Sequence, residues 1–313
     1  MMRTKKGALG VALGVAVALA ASACGGGSGS TGSSGSTSAT KGGTLYMLNL
    51  GPVDHWDPQR IYVGADIQFA SRVFSRTLTT FPPGKTIEDQ SKLIPDLATN
   101  TGDVSDGGKT WKFTLKGDAK WQDGKPVTCE DLKYGISRTF AQDVITGGPN
   151  YIITYLDVPT NSDGSSKYAG PYKKTGQDLF DKAVTCSGNT ITYHFKTPWN
   201  DFNYATASLL AFSPFRADKD QGDKSDYAIF SDGPYQLQGT FDKDKGGTFV
   251  RNPNWDPATD TVRKAYPDQI VYNEGVQTEV AYQRAIADSG ADKAMIPQIQ
   301  APPSVLPQIV GNP

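Results

Sequence analysis

The chain has 313 residues, with 31 Lys and Arg, 32 Asp and Glu and only two His. Charges of both signs are interspersed, which argues against a nucleic-acid partner held on a basic patch, and the length beyond residue 40 suffices for one large or two moderate domains. Without the first 23 residues, which are read below as a leader, 28 basic residues face 32 acidic ones and the net charge is −4.

Arg3, Lys5 and Lys6 form a cationic start, followed by an apolar run of Ala, Val, Leu and Gly over 7–20. As a helix this run would rise about 21 Å, short of the roughly 30 Å of a bilayer core. It therefore reads as a secretory signal peptide, residues 1–23. The small residues Ala21, Ser22 and Ala23 lead into Cys24 and Gly25. This stretch resembles a bacterial lipobox, with Ala21 where that pattern favours Leu. The resemblance implies that Cys24 is acylated, becomes the mature N-terminus and anchors the protein to the extracytoplasmic face of the cell membrane. An ordinary signal peptide cut near Ala23 would instead leave Cys24 as an unpaired thiol. Residues 24–41 hold this Cys and a Gly/Ser/Thr tract, a flexible linker reaching roughly 20–24 Å.

After Gly42 and Gly43, residues 44–50 read as a mostly buried strand, broken by Gly51-Pro52, with a turn at Trp56-Asp57-Pro58. Ile67, Ala70, Val73, Phe74 and Leu78 recur at helical spacing and predict a helix over 65–78. Alternation through Trp111, Phe113 and Leu115 predicts a half-buried strand over 110–115. Thr128 and Asp131 have cap spacing and predict a helix over 129–141. The Gly-, Pro-, Tyr- and Ser-rich stretch 145–176 reads as a long ordered loop. A strand is expected over 189–195 and a helix capped by Asp201 to about 210. Strands are expected at 235–241, 248–251 and 269–272, then a helix at 278–288. The class is mixed α/β (α+β).

Cys129 and Cys186 are an even pair in an exported chain, which points to a disulfide; two separate buried thiols are the alternative. No Gly-x-Ser-x-Gly elbow or His-Glu-x-x-His site occurs. His55 lies in the loop after the first strand with no local nucleophile to serve, and His194 sits in an alternating strand. No catalytic residue, metal or cofactor is expected.

Several stretches match one family in order and spacing: Gly42-Gly43-Thr44-Leu45, Trp56-Asp57-Pro58-Gln59, residues 93–98, Asp106-Gly107-Gly108-Lys109-Thr110-Trp111, residues 121–128 with Asp131, Gly233-Pro234-Tyr235 and residues 251–255. Over roughly 42–292 the chain resembles the extracellular solute-binding proteins of family 5, the peptide, nickel and opine type. The resemblance implies a periplasmic-binding-protein-like fold of type II. It also implies a monomeric, lipid-anchored subunit that hands a peptide or similar solute to an ABC permease and ATPase. A secreted lipoprotein peptidase and a ligand-sensing receptor are the alternatives.

The resemblance assigns 42–81 and 206–275 to the main domain of a first lobe, 82–205 to a domain inserted in it, and 276–313 to the start of a second lobe. Most of that second lobe is expected to be missing from this sequence, which would leave the 313-residue form with little or no ligand affinity, since one wall cannot bury a ligand. Candidate ligand contacts on the remaining wall are Tyr46, Asn49, His55, Tyr62 and Tyr235.

Overall fold

The computed structural model describes residues 40–310. The leader, Cys24 and the linker through residue 39 lie outside the described residues.

In chain order the elements are β1 (Thr44–Leu48), α1 (Gly64–Val73), β2 (Thr79–Thr80), α2 (Ile87–Ser91), β3 (Ile94–Pro95), β4 (Asp103–Ser105), β5 (Thr110–Thr114) and α3 (Cys129–Arg138). There follow α4 (Tyr151–Tyr155), α5 (Gln177–Ala183), β6 (Val184–Ser187), β7 (Thr190–His194), α6 (Phe202–Ser208), β8 (Tyr235–Asp242), β9 (Gly246–Arg251), β10 (Gln269–Asn273), α7 (Thr278–Ala287), β11 (Met295–Pro297) and α8 (Leu306–Ile309). A five-stranded sheet has the order β11-β1-β10-β9-β8, and a four-stranded antiparallel sheet has the order β4-β5-β7-β6. β1 runs parallel to both β10 and β11, whereas β9 and β8 join as antiparallel strands. Among the described residues no helix is long and apolar enough to cross a membrane.

Each sheet has its own apolar core. Trp56, Phe69, Phe74, Phe249 and Tyr272 fill the first, with Trp56 edge-on to Phe74, Phe241 and Tyr272 at 5.5–5.6 Å between ring centroids. Trp111, Phe113, Tyr193, Phe195, Phe202 and Leu132 fill the second. The alternation predicted at 110–115 and 189–195 is seen as facing strands, with Trp111 opposite Tyr193 and Phe113 opposite Ile191. α3 begins with the expected reciprocal cap. The Asp131 amide donates to Thr128 Oγ1 at 3.2 Å and the Thr128 amide donates to Asp131 Oδ2 at 2.9 Å. Cys129 and Cys186 are joined as a disulfide, closing a 57-residue separation across α3 and β6. On the loop-entropy model such a link stabilises by about 4 kcal/mol.

The helix expected over 65–78 stops at Val73. Beyond it a buried ion cluster holds the chain out of the helix. The Arg76 amide donates to Asp232 Oδ1 at 2.8 Å, Arg76 Nε donates to Asp96 Oδ1 at 2.9 Å, and Arg263 Nη2 donates to Asp96 Oδ2 at 2.8 Å. Leu78, which fits the helical period, instead joins the second core and accepts from the Asp96 and Ala98 amides through its carbonyl. Local periodicity did not foresee this because every partner is distant in sequence. Asp201 precedes α6 without a side-chain cap bond, and the stretch read as loop over 145–176 contains the short helix α4.

A second buried ion group ties α3 to the loop that follows β1. Arg138 grips Asp57 with two bonds, Nη1 to Oδ1 and Nη2 to Oδ2, both at 2.6 Å. It also donates to Gln59 Oε1 at 2.6 Å and to Asp220 Oδ2 at 2.9 Å, while its guanidinium lies 3.7 Å from the centre of the Phe215 ring. Both the Arg138 and Asp57 side chains are fully buried. Breaking such a pair from one side leaves an uncompensated charge. Arg138→Met is therefore expected to lower the unfolding free energy by about 3–5 kcal/mol in urea denaturation. A loss below about 1 kcal/mol would mean that the pair does not secure the loop.

Asp232 gives a pH signature. Its Oδ2 has no hydrogen-bond partner, and burial pushes its carboxyl up to about 7 despite the bond from the Arg76 amide. A carboxyl whose folded pKa lies above its unfolded value stabilises most below the unfolded pKa, and this contribution is lost as pH rises through about 7. Melting temperature is therefore expected to fall between pH 5 and pH 8. Asp232→Asn, which keeps an oxygen for the Arg76 amide, should make that fall shallower; an unchanged slope would remove Asp232 as its source.

Candidate functional site

In an open sheet with parallel strands, the crevice for a ligand lies outside the carboxyl ends of the strands, where connections diverge. Here that edge is formed by residues following β1, β10 and β11. The Asn49 amide donates to the Asn273 carbonyl at 2.9 Å, the Val276 amide to the Asn49 carbonyl at 2.8 Å and the Gln298 amide to the Leu48 carbonyl at 2.8 Å. The chain then runs along the edge as loop 49–63 before entering α1.

This loop is held from several sides. Trp56 is sunk in the first core and Asp57 is gripped by Arg138. Glu274, just past β10, accepts from the Val53 amide through Oε1 and from Asn49 Nδ2 through Oε2, both at 3.0 Å. The Tyr227 hydroxyl donates to the Val53 carbonyl at 2.7 Å. Gly147, at φ +88°, brings the loop before α4 against the His55 ring; a Cβ there would lie 2.7 Å from His55 Nε2.

A recess of about 140 Å³ opens at this edge, lined by Asp54, His55, Arg60, Ile61, Tyr62, Val63, Asp66 and Gly147. The nitrogen-bearing side chains in it are already engaged. Arg60 Nε donates to the Thr146 carbonyl at 2.9 Å and Nη1 to the Asp223 carbonyl at 3.2 Å, while His55 Nδ1 meets Asp226 Oδ1 at 2.7 Å. Asp66, in the first turn of α1, is different. Its side chain is buried, and burial together with the charge of Asp54 pushes its carboxyl up to about 6. Burial likewise pushes Glu274 up to about 7, against the bonds from Val53 and Asn49, and Asp66 adds to the rise. The rim carries exposed apolar surface from Leu50, Tyr62, Val63 and Tyr151, and the Tyr62 and Tyr151 hydroxyls meet at 2.7 Å.

The five sequence candidates do not converge. Asn49, His55 and Tyr62 share the edge, with Asn49 committed to Glu274 and to the Gly51 carbonyl. Tyr46 sits mid-strand in β1, half-buried. Tyr235 is buried and donates its hydroxyl to the Pro267 carbonyl at 2.8 Å. It lines a separate open groove of about 690 Å³, together with Leu45, Met47, Phe69 and Ile296. Asp66 and Glu274 are not among the sequence candidates. The first reads as an ordinary acid in a helix's first turn, the second as a residue of an Asn-Glu-Gly turn.

The two carboxyls supply a direct check. In a ¹³C-detected titration Glu274 should titrate near 7 and Asp66 near 6, each above the usual carboxylate range. Midpoints below about 4.5 for both would remove the desolvated character of the edge.

Comparison with known proteins gives a consistent picture. The sequence model of the bacterial extracellular solute-binding proteins, family 5 (middle), matches residues 92–304. The clavulanic acid biosynthesis oligopeptide binding protein 2 is 34% identical, with a TM-score of 0.71 over 80% of this chain and 43% of that one. OppA of Burkholderia pseudomallei matches at 20% identity and a TM-score of 0.63, over 87% of this chain and 48% of that one. The Escherichia coli murein tripeptide binding protein MppA matches at 20% identity and a TM-score of 0.60, over 80% and 45% of the two chains. In sequence alone, the periplasmic murein peptide-binding protein MppA of E. coli (strain K12) is 38% identical over 50 residues, which is 16% of this chain and 9% of that protein. At 20% identity the OppA and MppA structures bear on fold alone. The chain spans less than half the length of each of these structures.

Proposed function

Because the chain belongs to the bacterial extracellular solute-binding proteins of family 5 and has their type II binding-protein fold, we propose that it forms one wall of the solute-binding subunit of an ABC importer. The solute is an oligopeptide or a similar molecule, handed on to a membrane permease driven by its ATPase. The observation that carries this reading is the 34% identity to an oligopeptide binding protein over 80% of this chain. The open edge of the first sheet supports it, since loop 49–63 is firmly held yet presents a recess and an apolar rim.

Such a subunit does no covalent chemistry; it works by binding its solute more tightly in a closed state than in an open one. His55, the one histidine at the edge, is paired with Asp226 and not with a nucleophile. The same reading divides the chain into a main domain (42–81 and 206–275), an inserted domain (82–205) and a segment from 276 onward. The two apolar cores follow that division in the main, with Leu78 and Phe212 of the main domain reaching into the core of the inserted one. Cys24 would carry the lipid, and the Gly/Ser/Thr tract would let the domain reorient beside its permease.

Two measurements test this. Deleting the gene should abolish uptake of labelled oligopeptides, while the purified full-length protein should leave the same peptides intact; hydrolysis by the protein would favour a peptidase. Cys24→Ser should lose palmitate labelling and leave the membrane fraction, whereas a labelled, membrane-bound variant would refute the anchor.

A further inference from the structure

Asp66 is the polar side chain at the edge whose burial the fold does not explain. Its side chain lines the recess and the residue is 6% exposed, yet among the described residues no hydrogen bond or ion pair reaches its carboxylate. A first-turn acid can support its helix by roughly 0.3–1 kcal/mol while fully solvated, so helix stability does not require this burial. The surrounding protein strips much of the water from this carboxylate and gives it no partner in return, and sites that face a ligand are where such a cost is found.

The surroundings define what would complete it. Arg60 and His55 are held by Thr146, Asp223 and Asp226 and do not turn to Asp66. Asp54 adds a second carboxylate to the same recess, and the charge of Asp66 is felt by Glu274. An anionic ligand would meet like charge here. The volume of about 140 Å³ is close to that of a cavity able to admit benzene, about 150 Å³. Tyr62 and Ile61 give the walls an apolar part that suits a methylene chain.

We propose that this recess is a subsite for a protonated primary amine on a short alkyl chain, with Asp66 as its ion-pair partner. Resting on the reading of the chain as a peptide-binding wall, this makes the solute a peptide that presents either a lysine side chain or its own amino terminus to Asp66. The ammonium supplies the hydrogen-bond donors that the carboxylate lacks, and the rim around Tyr62 covers the carbon chain.

Calorimetry on the full-length protein with four probes tests this: alanyl-lysyl-alanine, alanyl-norleucyl-alanine and the N-acetylated form of each. Removing the ammonium that occupies the recess should weaken binding about tenfold or more. Loss on replacing lysine assigns the side chain, and loss on acetylation assigns the terminus. Asp66→Asn, with folding checked by circular dichroism, should erase that discrimination. Equal affinities for all four probes, or discrimination that survives in Asp66→Asn, would overturn the subsite. If none of the four binds, as a single wall would leave it, n-butylammonium chloride decides the subsite by the ¹³Cγ signal of Asp66. A saturable shift that n-butanol does not produce supports it, and no shift overturns it.

Discussion

The bidentate contact between Arg138 and Asp57 is the constraint on which the rest of the site depends. Loop 49–63 joins the end of β1 to α1 and would otherwise be a long surface connection, free to sample many conformations. One guanidinium, fully buried, fixes its middle by bonding Asp57 and Gln59 while also bonding Asp220. Trp56, next to Asp57, is thereby seated among Phe74, Phe241 and Tyr272. The planar fork suits this task because it meets both carboxylate oxygens and still has donors left. Arg138 belongs to α3, whose start is fixed by the Thr128–Asp131 cap and the Cys129–Cys186 link. Rigidity in the second core is in this way passed to the edge of the first sheet.

The two buried ion groups divide the labour. The Arg76–Asp96–Arg263 cluster joins the chain leaving α1 to the segment before β10, and Arg263 and Arg76 draw Asp96 down to about 2 against the burial that pushes it up. Arg76, Asp96 and Arg263 match one another there, while Asp232 beside them keeps one oxygen unpaired. At the sheet edge the balance is different, since Asp66 is raised by burial without a compensating partner and Glu274 is raised despite two donors.

Much of the scaffold was legible in the sequence. Strict alternation at Trp111, Phe113 and Tyr193 gave the second sheet, and the Thr128–Asp131 spacing gave the start of α3, because both signals are local. The helix ends before its predicted bound because Phe74 and Leu78 keep the helical period while Asp96 and Asp232, far along the chain, bond residues 76 and 77 outside the helix. The site was legible only in part. Of the candidates named on the remaining wall, Asn49, His55 and Tyr62 lie at this edge, whereas Tyr46 is mid-strand in β1 and Tyr235 bonds the Pro267 carbonyl. Glu274 becomes visible only once β1 is known to lie parallel to β10, a pairing across some 225 positions. Asp66 carries no sequence signal at all, since what distinguishes it is burial without a partner.

On the proposed function, the edge formed by loop 49–63 and the turn after β10 is the solute-facing wall. Hydrogen–deuterium exchange on the full-length protein, with and without a saturating mixture of short peptides, measures this most directly. Ligand-dependent slowing of exchange is expected at amides within 50–66 and 273–276. Slowing confined to the groove around Tyr235 and Tyr266, with the edge unchanged, would contradict it.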